Sequence, residues 1–177
     1  MIPIQRSALD ARTQRGLERK SEELRVKGAA TPEARQAWKS ARTIRRGLAP
    51  VLSGMAPGLS RCMYCGDSEG TDIDHFRPIA SDPLGTFRWT NHLLACSHCN
   101  SNMKRDRYPR DSSGACLLVD PCVDDPHEHL ELTFATGGYT PLTAKGVLYA
   151  MVRTKDSPGA AVMFGSRVVS ALQALHW

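Results

Sequence analysis

Cys62-Met63-Tyr64-Cys65-Gly66 and Cys96-Ser97-His98-Cys99-Asn100 flank a stretch that contains Thr71-Asp72-Ile73-Asp74-His75-Phe76-Arg77-Pro78. Each Cys-x-x-Cys can place two thiolates on one tight turn, and Gly66 permits the first turn to close. Four thiolates complete a tetrahedral shell and leave no position for water, so the expected zinc at Cys62, Cys65, Cys96 and Cys99 is structural. Free thiols or a redox pair are the competing reading. His98, inside the second turn, is a spare donor, but four sulfurs already fill the shell. Cys116 and Cys122 stand apart and read as small buried hydrophobes.

An adjacent Asp-His pair is ordinary on its own. Between two metal-binding turns it becomes a candidate site, with Ile73 and Phe76 toward a core and Asp74 and His75 at a strand end. Trp89-Thr90-Asn91-His92-Leu93-Leu94-Ala95 leads directly into the second cysteine turn, and Lys104 follows it.

Together these residues resemble an HNH endonuclease of the ββα-metal class, over about residues 61–105. The resemblance implies an α+β fold, in which a β-hairpin and a helix surround one divalent metal and a four-cysteine zinc braces them. It implies His75 as general base, Asn91 as the residue that orients it, and Asp74 as a metal ligand. Asn100 takes the third signature position, often histidine, which makes this an HNN variant. A narrower resemblance adds Leu118-Val119-Asp120-Pro121-Cys122-Val123-Asp124-Asp125-Pro126-His127-Glu128-His129-Leu130 and points to PtuB-type HNH proteins. Those belong to Septu and some retron anti-phage systems and work beside an SMC/ABC-like ATPase. The implied activity is metal-dependent hydrolysis of DNA, with that ATPase as partner. A zinc-ribbon module that binds DNA or protein without catalysis is the alternative.

The chemistry agrees with those roles. A histidine with a pKa of about 6.5 can take a proton from water near neutral pH. Mg²⁺ or Mn²⁺ prefers oxygen, which Asp74 and the Asn100 amide offer, whereas sulfur holds zinc. Asn91 also reads as a helix cap for the turn over residues 93–96. Lys104, Arg105 and Arg107, with Arg110 beyond them, are candidate phosphate contacts or a solvated basic loop. Arg77 has Asp72 or DNA as its expected partner.

The rest of the 177 residues supports this core. Residues 1–61 hold 13 Lys/Arg against 5 Asp/Glu, a surplus of +8, and the remainder is −3. Such a basic segment suits a phosphate backbone, and a solvated helical surface is the plainer reading. Ser7 and Asp10 have capping-box spacing for a helix that stops at Gly28. Thr31-Pro32-Glu33 opens a second, whose apolar face runs through Ala34, Ala37, Trp38, Ala41, Ile44 and Leu48 until Pro50, Gly54, Pro57 and Gly58 break it. Leu117-Leu118-Val119 and residues 129–135 read as strands, the latter turned into a hairpin by Gly137-Gly138. Residues 146–152 read as another strand, and Val162, Val168, Val169, Leu172 and Leu175 as a closing helix. The expected division is a basic helical extension (1–57), a nuclease core (58–113) and a mixed α/β extension (114–177). The sequence contains no run of about 18 apolar residues and no secretion-like leader, so a soluble cytoplasmic protein is expected.

Overall fold

The computed structural model describes residues 1–133 and 138–146. The chain forms two compact units, Met1–Arg107 and Tyr108–Trp177.

In the first unit, α1 (Ala11–Lys27) is capped by Asp10, whose carboxylate accepts from the Arg12 and Thr13 amides at 2.9 Å. The helix therefore starts after Asp10 and not at Ser7. The Ser7 carbonyl instead accepts from the Trp89 indole at 3.2 Å, which holds residue 7 outside the helix. Gly28 ends α1 at φ +56, as expected of a residue free to turn left-handed. The next helix divides where one was expected. Ala41 leaves helical geometry between α2 (Thr31–Ser40) and α3 (Arg42–Met55). Pro50 lies inside α3 and does not end it. A proline costs a helix interior about 3 kcal/mol, but Leu48 and Leu52 on either side are both fully buried. Continuing the helix keeps both in the core.

α1 and α3 pack against each other, and α3 also lies on the hairpin. Gly47 meets Thr13 so closely that a Cβ there would clash, and Gly16 sits against Ile44. The hairpin is β1 (Asp72–His75) paired antiparallel with β2 (His92–Ala95), with His75 opposite His92 and Asp74 opposite Leu93. A helix over His98–Lys104 follows, wound wide enough that the Arg105 amide bonds the Asn100 carbonyl five residues back. The expected ββα order is present. Residues 93–96 are strand and not a helical turn, so Asn91 caps no helix there.

The N-terminal segment is tied to this core. The Arg6 guanidinium donates to the carbonyls of Thr90 and His92 at 2.7 Å and lies over the Trp89 ring. Met1 and Ile4 are buried.

In the second unit, residues 117–119 are buried but form no strand; only Cys116 bridges, to Arg110. A buried apolar run without an edge to pair with stays irregular. A short helix, α4 (Pro126–His129), leads into β3 (Leu130–Thr133), which pairs antiparallel with β4 (Gly138–Pro141). The acidic run uses its carboxylates locally: Asp120 accepts from the Cys122 amide, Asp125 caps α4, and Asp124 pairs with Lys145 at 2.6 Å. The hairpin turn, residues 147–152 and the closing helix lie outside the described residues. Among the described residues no helix is long and apolar enough to cross a membrane.

Candidate active site

The sulfurs of Cys62, Cys65, Cys96 and Cys99 all lie within 4.8 Å of one another. Local hydrogen bonds close both turns. The Gly66 amide returns to the Cys62 carbonyl at 2.8 Å with Gly66 at φ +67, and the Asn100 amide bonds the Cys96 carbonyl at 3.0 Å. Crowding splits the thiol acidities. Hydrogen bonds from Cys62 and Cys99 drive Cys65 well below the ordinary thiol range. Sharing with Cys65 pushes Cys62 up to about 11, and Cys99 rises through its bonds to Cys62 and Cys65. One thiolate held by neighbouring thiols is the arrangement that a soft dication replaces with four thiolates. The cluster could bind a zinc ion.

Strand alternation then divides β1 into two faces. Asp72 and Asp74 face the His98–Lys104 helix. The Asn100 amide donates to Asp72 at 3.2 Å. Asp74 accepts from the Tyr64 hydroxyl at 2.5 Å and pairs with the Lys104 ammonium at 3.0 Å, which also donates to the His75 carbonyl at 2.6 Å. Burial pushes the Asp74 carboxyl above its usual range, while Lys104 and Tyr64 oppose that shift. Lys104, a candidate phosphate contact by sequence, is instead 4% exposed and neutralises Asp74. Arg105 is exposed and Arg107 half-buried. Arg77 pairs with Asp82 at 3.6 Å and not with Asp72.

The opposite face carries His75. Its Nε2 lies 3.0 Å from the Thr86 carbonyl, and the buried His92 Nε2 reaches the same oxygen at 3.0 Å. A carbonyl only accepts, so both rings carry their proton on Nε2 and His75 keeps Nδ1 as the basic nitrogen. Asn91 makes no hydrogen bond to His75. Its side chain accepts from the Arg77 amide at 2.7 Å and donates to the Arg77 and Gly85 carbonyls. Asn91 thus anchors the loop that presents Thr86. Trp38 of α2 covers the histidines, edge-on to His75 at 4.5 Å between centroids and stacked on His92 at 5.0 Å.

That burial lowers the His75 pKa to about 4, with the Thr86 bond opposing the shift and the Lys104 charge adding to it. His92 shifts in the same direction, first by burial and then by its proximity to His75. A histidine held neutral in the fold takes up its proton more readily when unfolded. The His75 contribution to stability therefore falls as pH drops from 6.5 toward 4 and levels off below that. The His75 share is about 3 kcal/mol. Denaturant titrations of the zinc-loaded wild type and of His75→Gln should both show a loss, because His92 remains in the variant, but the wild type should lose about 3 kcal/mol more; equal losses would contradict it.

A hard dication needs oxygen donors, and Asp72, Asp74 and Asn100 supply them on one face. Lys104 on Asp74 shows that this face accommodates a positive charge. By donor chemistry the residues fit Mg²⁺ or Mn²⁺. Asp72 was missed as a donor, although its two-residue spacing from Asp74 was a usable signal. Nothing in the sequence marked Thr86, which acts through its backbone.

Residues 62–106 match the HNH endonuclease family model. The Septu protein PtuB of Bacillus mycoides (strain KBAB4) is 28% identical over 100 residues, a match that covers 40% of this chain and 34% of that protein. The match thus spans about a third of the curated relative's length. No solved structure matches. Residues 62–106 are an HNH domain, and they include the four cysteines, Asp74, His75, Asn91, Asn100 and Lys104.

Proposed function

From an HNH domain with this geometry, we propose that the protein is a metal-dependent endonuclease that hydrolyses DNA phosphodiester bonds. The observation that carries the reading is His75 at the end of β1, its Nε2 tied to the Thr86 carbonyl and its Nδ1 left as acceptor. In this reading residues 58–113 do the chemistry and residues 1–57 supply a basic surface. The similarity to a Septu protein supports a role in anti-phage defence, with an SMC/ABC-like ATPase as partner.

His75 takes the proton from the attacking water on Nδ1. Asn91 is a positioning residue that acts through the loop carrying Thr86. Asp74, Asn100 and Asp72 are the side chains that would hold the divalent ion. Such an ion supplies charge stabilisation to the phosphate and the leaving oxygen. His75 is 7% exposed beneath Trp38, so α2 must shift before a phosphate can reach the ring. Hydration then relieves the burial that depresses its pKa and makes it a stronger base.

Two observations favour a second reading, a zinc-braced binding module without catalysis: Asp74 is neutralised by Lys104, and His75 is covered. Plasmid cleavage separates the two. Nicking by purified, zinc-loaded protein on addition of Mg²⁺ or Mn²⁺ is expected, with an acidic limb of the pH–rate profile nearer 6.5 than 4. No cleavage across both metals and that pH range, with or without the ATPase partner, would favour the binding module.

A further inference from the structure

A cleft of about 520 Å³ opens beside Asp72 and Asn100, lined also by Trp38, Arg42, Arg45 and Arg46. A larger hollow of about 1050 Å³ lies between α1 and α3 and is lined by Arg12, Arg15, Arg19 and, again, Arg46. Arg46 lines both, so the two hollows adjoin and the arginines of α3 and α1 follow one another across the surface. Gly16 and Gly47 line the α1–α3 hollow, where a Cβ would meet Ile44 or Thr13 of the facing helix, so the two helices cross closely there.

The arginines along this path are largely uncommitted. Among the described residues, Arg12, Arg15, Arg42 and Arg46 are exposed and have no side-chain hydrogen bond or ion pair. Arg19 has only a long, exposed contact with Glu23 at 3.8 Å. Arg45 donates one guanidinium nitrogen to the Lys39 carbonyl, and its Nε is buried with no partner. Two acids border the larger hollow, Asp10 and Glu18. Asp10 is occupied in capping α1, and Glu18 accepts from Gln14 at 2.7 Å.

Guanidinium groups presented along a groove suit phosphate oxygens, and successive helical turns place them about 5–6 Å apart. We propose that Arg42, Arg45 and Arg46 of α3, continued by Arg12, Arg15 and Arg19 of α1, hold the phosphate backbone of duplex DNA along a path that ends at Asp72 and Asn100. The inference rests on the nuclease reading for the identity of the polyanion. It moves the principal DNA contacts from the loop after the second cysteine turn to the helices before the first.

The test is fluorescence anisotropy with a labelled 24-base-pair duplex at several salt concentrations, in a His75→Ala background without added divalent metal. Arg42→Gln/Arg46→Gln and Arg15→Gln/Arg19→Gln should each weaken binding about tenfold and lower the salt slope by about 2. Arg25→Gln/Lys27→Gln, at the far end of α1, should change neither. These are surface substitutions, and thermal melts verify the fold. Wild-type affinity and slope in both path variants would overturn the inference, and metal-dependent cleavage in the His75 background's parent would leave the nuclease reading standing. Weakened binding in the path variants, with no cleavage by the parent, would uphold the path and sink the nuclease reading. If the parent binds no duplex, both fail.

Discussion

His75→Ala is expected to lower metal-dependent plasmid cleavage by about 10²–10⁴-fold while zinc content stays at wild type, because a positioned general base contributes on that scale. The ring is poised for one role. Its Nε2 is committed to the Thr86 carbonyl at 3.0 Å, and Nδ1 is the nitrogen left to accept a proton. Removing it leaves space beneath Trp38, yet His92 still reaches the Thr86 carbonyl and still stacks on Trp38. The fold should therefore survive, and a melting curve with zinc analysis verifies that. His75→Gln keeps a donor for Thr86 but offers no comparable base, so it should be as inactive as the alanine variant. Wild-type-like cleavage by either folded variant would remove His75 from the mechanism.

Loss of the zinc turns should have the largest effect on stability. Cys62→Ser or Cys99→Ser keeps the side-chain volume but withdraws a soft ligand from a cluster whose four sulfurs lie within 4.8 Å. Structural zinc contributes about 10–16 kcal/mol of apparent binding free energy in small domains, whereas a whole domain is stable by about 5–15 kcal/mol. Each variant should lose most of its zinc and its cooperative melting transition. The effect reaches the hairpin directly, since the Met63 amide bonds the Leu94 carbonyl and the second turn opens at the end of β2. Full zinc occupancy in both variants, measured by metal analysis, would refute the four-sulfur site.

The cysteine turns were legible because their geometry is local: two residues between thiols, a glycine able to adopt positive φ, and a hairpin that brings the pairs together. The same holds for the strand end at Asp74-His75 and the stop of α1 at Gly28, whereas β2 was expected only from the family resemblance. Errors arose where a local signal met a tertiary demand. Pro50 is a helix breaker by itself, but burial of Leu48 and Leu52 carries α3 past it. Ser7 has capping geometry, but its carbonyl is engaged by Trp89, 82 residues away.

The sequence by itself determined the identity of the chemistry: four thiols spaced for one soft metal, an Asp-His pair at a strand end, and an arginine-rich helical segment. Local spacing suffices for this, since a turn or a strand places its own side chains. The tertiary structure alone decided the partners. It put Trp38 over His75, Lys104 on Asp74, the Thr86 carbonyl against both histidines, and the α3 arginines beside Asp72 and Asn100. All but the Thr86 contacts join parts of the chain more than 25 residues apart, and packing selects them without leaving a periodic mark. The accessibility and basicity of His75 follow from what packs against it, so they are properties of the fold and not of the motif.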